Sequence, residues 1–435
     1  MAMVVKNNMS AISTLNTLNK NSSALTKSLA KVSSGMKINS AQDDASGYAI
    51  SERMRVQIRS LDQANQNTQN GSSMMKTAEG AVSSTVEILK TLKEKVINAA
   101  NDTNTDADRQ TIQKELDQSI DQIDDNANVT YNGKYLVDGS KNTIGSATQA
   151  SFTNQALAET TKTSTKLTEL NRRAGDSLEI VSTDSVSVSF TKGGKTYTTS
   201  FKVGADSTLQ TIETKLNNLG AGVKLTGETS KIGVDSGGNQ INTASGQKAL
   251  TFATNSAGIT GAVNGITIRV TDSQGNVKKS ANAALDSFDQ SIFAENASSD
   301  NALTLQVGAK ANQSIKVGLK DMRSEALGLK GADGTKLNIS TQEKANAAIA
   351  VLDNAVAKAL DQQTTIGSIE SRLEYTSSNL TTASENVQAS ESTIRDADMA
   401  KEMTNYTKNN VLLQAAQSML AQANQNSSSV LSLLQ

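Results

Sequence analysis

The C-terminal third of the chain repeats an apolar residue at every seventh position. A seven-residue repeat kept over several heptads predicts one long helix with a narrow apolar seam, here about 60 Å long at 1.5 Å per residue. The interleaved positions turn polar after Ile349 and Val356. The 435 residues include no proline, which suits long unkinked helices. The repeating positions are Leu352, Ala359, Ile366, Leu373, Leu380, Val387 and Ile394.

Both ends of the chain carry a second helical pattern, with apolar residues alternately four and three positions apart. These segments are rich in Asn, Ser, Thr and Gln, most of them weak helix formers, so a lone helix there is marginal and needs a partner. Two interpretations stay open: a self-assembly surface, or the coiled-coil arms of a dimer or adhesin. The predicted seam comprises Leu15, Leu18, Leu25, Leu29 and Val32, with Leu412, Ala416, Met419, Ala423, Val430 and Leu433.

Two further helices are predicted after the N-terminal helical segment. Helical spacing predicts one from about residue 45 to about residue 100, with a flaw near Asn70 and Gly71. Residues 101–106 read as a loop with an N-cap, and the next helix carries Ile112, Leu116 and Ile120 on one face. Because the connecting loop is short, these two helices should pack antiparallel.

The middle of the chain changes to a period of two. Alternating apolar residues run through 186–190, 197–203 and 266–270, and Gly193-Gly194 marks a hairpin turn. A helix near residues 209–219 interrupts the strands, and residues 303–319 contain one more alternating pair. The fold class is therefore mainly α, with long antiparallel or coiled-coil helices from both termini and an inserted β-rich domain.

Residues 33–50 form an elbow between two helical segments. Gly35 can take the left-handed conformation that ends a helix, and Asn39, Asp43 and Asp44 are cap and turn residues. Adjacent acids could act as general acid and base or as metal ligands, but at a helix start they more often cap it and complement its dipole.

The amino-acid sequence of this elbow forms a long and specific motif. The string SSG-x-x-INSA-x-DDA-x-G-x-AI, which includes Gly47, resembles the N-terminal signature of bacterial flagellins. Residues 418–425 and 430–435 resemble the C-terminal motif of the same family, and residues 396–400 resemble its second elbow. The resemblance implies that both termini meet in an inner helical domain and that the middle projects outward.

The resemblance and the patterns together divide the chain into five parts. Residues 1–44 and 395–435 are the inner terminal helices of a filament core. Residues 45–175 and 298–394 are the two parts of a helical bundle domain, and residues 176–297 are a variable outer β-rich domain.

Composition argues against several classes of partner and of catalytic chemistry. Net charge is −1, so nothing favours nucleic acid or an anionic membrane as partner, and no stretch approaches a membrane span. The sequence has no Cys and no His, which removes the thiol nucleophile, the commonest metal ligand and the commonest general base. We therefore expect no enzyme activity, no metal and no cofactor.

The resemblance implies a secreted structural subunit that polymerises with copies of itself into the extracellular flagellar filament and leaves by the flagellum's own type III export channel. It implies, as further partners, the filament cap protein, the hook-junction proteins and an export chaperone at the C-terminal segment. The alternatives are a hook-filament junction protein and a secreted coiled-coil adhesin.

One more expectation comes from the resemblance. In many flagellins an Arg-x-Arg-Glu-Leu-like stretch contacts an animal innate receptor, and the matching residues here include Thr91, Lys93, Glu94 and Lys95. Glu115 stands where the family has a further contact acid. Thr91 lacks the guanidinium fork and Lys95 replaces an apolar anchor, so weak recognition is predicted.

Overall fold

The computed structural model describes residues 8–433, which form two compact units. The first unit comprises residues 8–67, 307–313 and 375–433, and the second comprises residues 68–306 and 314–374. The described residues of the predicted inner parts, 8–44 and 395–433, fall in the first unit together with the adjoining stretches of the neighbouring helices. The five-part division itself stays a prediction.

Seven α-helices are present in residues 8–433, and four of them are long, as the heptad patterns predict. The predicted mainly α fold with an inserted β-rich part is confirmed. The helices are α1 (Met9–Ser34), α2 (Ala45–Ala99), α3 (Asp106–Ala127), α4 (Leu209–Asn218), α5 (Lys279–Leu285), α6 (Gln342–Arg395) and α7 (Met399–Leu433).

All strand pairs are antiparallel. The sheet orders are β1-β2, β10-β4-β5, β11-β3-β9-β6, β12-β13 and β7-β8. The strands are β1 (Thr130–Tyr131), β2 (Lys134–Tyr135), β3 (Ser151–Asn154), β4 (Ser185–Lys192), β5 (Lys195–Lys202), β6 (Val223–Thr229), β7 (Lys231–Val234), β8 (Gln240–Asn242), β9 (Ala249–Thr254), β10 (Gly265–Thr271), β11 (Phe288–Ile292), β12 (Leu303–Gln306) and β13 (Ser314–Val317).

In the first unit, the start of α2 runs antiparallel to the end of α6. Leu61 and Ala64 of α2 pack with Leu380 of α6 in a small apolar cluster. Polar contacts continue the pairing: the Ser377 hydroxyl donates to Asn65 Oδ1 at 2.6 Å. The apolar core here is narrow, as expected from the polar residues that interleave with the α6 repeat.

In the second unit, a capping box starts α3. The Thr105 hydroxyl accepts from the Asp108 backbone N–H, and the Asp108 carboxylate accepts from the Thr105 backbone N–H. Arg109 then donates to the carbonyl of Ala99 at 2.9 Å, tying the start of α3 to the end of α2. Further from the loop, Lys95 of α2 pairs with Glu115 of α3 at 3.0 Å, and the order of these two contacts is the one expected for the predicted antiparallel arrangement.

The repeat of α6 is buried as predicted where it lies in the second unit, but its interleaved set is displaced by one position. Leu352, Ala359, Ile366 and Leu373 are fully buried. Ala348, Ala355 and Gln362 are buried with them, whereas Ile349 and Val356 are only partly buried.

The predicted flaw at Asn70 and Gly71 is wrong, because α2 is continuous through both residues. Gly71 is instead a site of close approach. A Cβ built there would lie 2.7 Å from Leu305 Cδ1 of β12, so a side chain would collide with the β12-β13 hairpin. Glycine here serves packing, and its helical cost is of the order of 1 kcal/mol.

The β-rich part begins before the predicted boundary at residue 176. Strand β3 lies upstream of it and pairs with β9 and β11 in the centre of the four-stranded sheet. Leu157, Leu167 and Leu170 belong to the same buried core as Phe190 and Phe252. A sheet and its core cannot be cut at residue 176 without leaving these apolar residues exposed.

The chain enters and leaves the β-rich part at adjacent points. Gly145 and Ser298 form an antiparallel bridge, with two backbone hydrogen bonds of 3.2 and 3.0 Å. Thr148 and Glu295 continue the pairing three residues further on along each segment. We therefore propose that the inserted part spans residues 146–297.

Candidate functional site

The pair formed by α1 and α7 is the main feature of the first unit. The helices run antiparallel, and polar contacts join them along their length. The Asn8 amide donates to the Ala423 carbonyl at 3.1 Å, and the Asn21 amide to the Leu412 carbonyl at 3.2 Å. Further contacts are those of Asn409 with Ser28 at 3.1 Å and of Lys31 with Glu402 at 3.7 Å.

The predicted seam of α1 divides into two rows. Leu18, Leu25 and Val32 are partly buried in the unit. Leu15 and Leu29, by contrast, are 45% and 50% exposed. The row one position earlier faces α7 instead, and its members Asn21 and Ser28 are polar and hydrogen-bonded to α7. A 4-3 pattern offers two neighbouring rows to a partner, and periodicity alone does not decide which row faces it.

The seam of α7 divides in the same way. Ala416 is buried and Ala423 is partly buried, whereas Leu412 and Met419 are exposed. Leu413 and Leu420, one position later than the predicted residues, are the partly buried ones. The two remaining predicted members, Val430 and Leu433, have side chains that lie outside the described part of the structure.

Sequence reasoning missed the polar residues of the pair because it selected apolar positions only. A signal was available: Thr14, Asn21 and Ser28 recur every seven residues, and Asn409 is seven residues before Ala416. Polar residues at core positions of a helix pair fix register at a cost in stability. The pair is therefore aligned by hydrogen bonds and leaves much of its apolar surface outside.

The elbow after α1 is built from backbone-capping side chains. Gly35 ends α1 in the left-handed region, at φ 72°. The Asp43 carboxylate accepts from the backbone N–H groups of Asn39 and Ser40, and these hydrogen bonds hold its pKa below the usual range. The Asp44 carboxylate accepts from the N–H groups of Ser46 and Gly47 and so caps α2.

The predicted elbow glycine at position 47 sits in a tight place. A Cβ there would lie 2.5 Å from Asp44 Oδ2 and 2.7 Å from Ile38 Cδ1, and Ile38 is buried. The absence of a side chain thus lets the capping carboxylate and the buried isoleucine approach the first turn of α2 together.

Arg395 joins this elbow to the end of α6. Its guanidinium donates to Glu52 Oε1 at 2.7 Å and to Met36 Sδ at 3.1 Å, and it lies 5.6 Å from the centre of the Tyr48 ring. The hydrogen bond from Arg395 lowers the pKa of the Glu52 carboxyl. Backbone bonds add to the joint: the Lys37 N–H donates to the Arg395 carbonyl at 2.6 Å.

We expect Arg395→Ala to loosen this joint. The side chain is only 7% exposed, so its loss removes packing and the buried partner of Glu52 together. Limited proteolysis at the elbow should become roughly tenfold faster, because cleavage follows the population of the open form. Arg55→Ala is the matched control: Arg55 contacts the same carboxylate at 3.2 Å but is 41% exposed, so a change of at most about twofold is expected. Equal cleavage rates in the two variants would contradict the assignment.

The predicted receptor face lies in the second unit and is largely engaged in ion pairs. Lys95 contacts Glu115 at 3.0 Å, across the α2–α3 boundary, and Lys93 pairs with Asp353 of α6. Thr91 and Glu94 are exposed, and the Thr91 hydroxyl donates to the Glu87 carbonyl of its own helix.

The described residues offer other functions little support. Within residues 8–433, no helix has an apolar stretch long enough to cross a bilayer. In the same range, no group of three or more acidic side chains is placed to hold a metal ion. What the first unit does offer is apolar surface: Met9, Ile12 and Val411 are also exposed on α1 and α7.

Comparison with known sequences gives two family matches. Residues 5–142 match the bacterial flagellin N-terminal helical region, and residues 349–434 match the bacterial flagellin C-terminal helical region. The matched ranges include α1 and α7, the elbow and the Arg395 joint.

Whole-length relatives agree with these matches. A flagellin of Clostridium tyrobutyricum is 35% identical over 97% of this chain and 99% of its own length. A flagellin of Bacillus subtilis is 30% identical over 99% of this chain and 100% of its own length. Among solved structures, the flagellar junction protein FlgL from Legionella pneumophila aligns with 80% of this chain and 99% of its own, with TM-score 0.33 and 13% identity.

Proposed function

This chain belongs to the bacterial flagellin family and is a structural subunit of the flagellar filament, and from that premise we propose that its α1–α7 pair is the surface that binds neighbouring copies. The observation that carries the proposal is the row of exposed apolar side chains on a pair whose inner contacts are partly polar. Exposed apolar residues concentrated on one element mark an interaction surface.

The energetics favour assembly over an isolated pair. Each fully buried Leu or Met side chain contributes about 1.5–3 kcal/mol relative to an exposed one. Leu15, Leu29 and Met419 make only part of that contribution within one chain, because they are 45%, 50% and 62% exposed. Contact with neighbouring copies would supply it, and would offset the entropy of ordering two polar helices.

Electron microscopy of the purified protein tests the proposal directly, with long filaments as the expected result. Leu15→Gln with Leu29→Gln should raise the critical concentration for polymerisation by at least about tenfold, since each change removes more than about 1 kcal/mol of burial. Lys27→Gln alters an exposed residue of the same helix and serves as control. Normal filaments from the double variant would refute the proposed role of the two leucines.

We further propose, on family membership, that the subunit is exported by the flagellar type III pathway and works outside the cell. An export chaperone would bind the C-terminal segment, and the filament cap and hook-junction proteins would contact the assembled ends. The exposed apolar residues of α7, Leu412 and Met419 among them, are surface that such a chaperone could cover. Co-purification with and without residues 406–435 would test the chaperone.

The alternative of a hook-filament junction protein is less well supported, because the relatives that match over nearly the whole chain at 30% identity or more are flagellins. The secreted adhesin is disfavoured by the same matches. No catalytic role is proposed, since the family is a structural one.

We also propose that the animal innate receptor for flagellin recognises this subunit weakly. Lys95 occupies the place of an apolar anchor and its ammonium engages Glu115, so recognition must break an ion pair as well as desolvate a charge. Thr91 cannot replace an arginine at an interface, where loss of such a residue costs about 2 kcal/mol or more, or roughly 30-fold in affinity.

A receptor-reporter titration of the monomer should therefore show reduced potency, partly restored by Thr91→Arg with Lys95→Leu. Lys90→Leu is a suitable control, because Lys90 is another lysine of α2 that is paired with an acid, Glu87, at 2.7 Å. Full potency of the unmodified protein, beside a flagellin with the complete motif, would overturn this prediction.

A further inference from the structure

Methionine is the only sulfur-containing residue of this chain, with eleven Met and no Cys. Seven of the nine described methionines fall into two groups by burial, and Met36 and Met54 are intermediate. Met74, Met75 and Met322 are buried in the second unit. Met9, Met399, Met403 and Met419 are exposed, Met9 to 69% and Met419 to 62%, and all four lie on α1 or α7.

We propose that these four side chains, the exposed methionine set, are oxidation sites through which a peroxide controls filament assembly. The inference rests on the proposed function, in which the α1–α7 pair binds neighbouring copies. It adds a modification chemistry and a class of reactant, hydrogen peroxide, to that same surface.

The reaction needs nothing beyond the thioether and the peroxide. A lone pair of the methionine sulfur attacks one oxygen of hydrogen peroxide, the O–O bond breaks and an S–O bond forms. Sulfur is oxidised to the sulfoxide, the peroxide is reduced, and its second oxygen leaves as water with both hydrogens. Solvent access to sulfur favours the reaction, so the exposed set should react before the buried methionines.

The position of the set explains why the product would matter. Met419 follows Leu412 by seven residues, and Met399 precedes Met403 by four, so each pair shares a helix face. Both faces are exposed in the single chain. A sulfoxide there places a strongly polar oxygen on surface that assembly must bury, and burying it without a partner is unfavourable.

Peroxide should thus act on the free subunit, and assembly should protect it. The test treats the purified full-length protein with hydrogen peroxide, maps added oxygen by mass spectrometry and measures polymer by sedimentation. We expect oxidation of the exposed set, unmodified Met74, Met75 and Met322, and a critical concentration raised at least about tenfold. Treatment with both methionine sulfoxide reductases, one for each epimer, should restore assembly.

A second protein separates this inference from the proposed function. A variant with Met→Leu at positions 9, 399, 403 and 419 keeps the apolar volume but has no thioether at these sites, so its critical concentration, whatever its value before treatment, should not change on adding peroxide. If the untreated native protein fails to polymerise, the proposed function fails. If it polymerises equally well with all four sulfoxides present, or if the reductases remove them without restoring assembly, the methionine inference alone fails. Loss of assembly in the peroxide-treated leucine variant would also overturn it.

Discussion

Removal of residues 1–30, or of residues 406–435, is expected to abolish filament formation and to leave the second unit folded. Either deletion takes away one member of the α1–α7 pair and with it the partner of the other. The surviving helix would keep its Asn, Ser and Thr content without the cross-helix bonds of Asn21 or Asn409. A single helix of this composition is marginally stable in water.

The stability of the second unit should be unchanged by either deletion. Its buried residues, such as Leu89, Leu116 and Leu352, all lie within residues 68–306 and 314–374. Sedimentation would measure polymer, and thermal unfolding followed by circular dichroism would report on the unit that remains. A shorter deletion, of residues 1–7 alone, serves as a milder variant. High-molecular-weight polymer from either large deletion would defeat the prediction.

The second large effect concerns where the β-rich part is cut. Replacement of residues 146–297 by a short Gly-Ser linker should preserve filaments, whereas replacement of residues 176–297 should give an aggregating protein. The first cut joins Gly145 to Ser298, which already lie side by side, so loop closure costs little. The second cut keeps β3, Leu157, Leu167 and Leu170 but removes the core residues against which they pack.

The first deletion also removes contacts with the retained chain, among them the ion pairs of Lys195 with Asp333 and of Glu295 with Lys320. Gly265 of β10 packs on Val351, which would become exposed on α6, so a lower midpoint of thermal unfolding is expected beside normal filaments. Electron microscopy and sedimentation of the two proteins, purified in parallel, decide the matter. Filaments from the 176–297 replacement, or none from a soluble and helical 146–297 replacement, would show that the boundary is wrong.

Periodicity in the sequence was sufficient to predict most of the fold. The seven-residue repeat of α6 and the alternation of β4, β5 and β10 are both present in the structure, because burial on one face imposes the period of the backbone. Strand β3 could not be predicted because Phe152 is its only apolar residue, so no alternating apolar pattern marks it in the sequence.

The candidate site was harder to predict because the residues that face each other are decided by contacts between different helices. Whether Leu15 or Thr14, and Leu412 or Leu413, faces the partner helix depends on the partner and on polar groups that need hydrogen bonds. No sequence pattern pointed to Arg395, because its role depends on contacts with Glu52 and Tyr48, which lie far from it in the sequence. The capping roles of Asp43 and Asp44 could be predicted because their hydrogen-bond partners are only a few residues away in the sequence.

The pairing of α1 with α7 also has a consequence for synthesis. The contact between Asn8 and Ala423 spans 415 residues, so a ribosome has made almost all of this sequence before the two helices can meet. Local contacts form first and distant ones wait, so α1 stays without its partner throughout elongation. A chain whose translation stops before α7 would lack the pair altogether. Under the assembly role proposed for the α1–α7 pair, only subunits translated through α7 would be able to join a growing polymer.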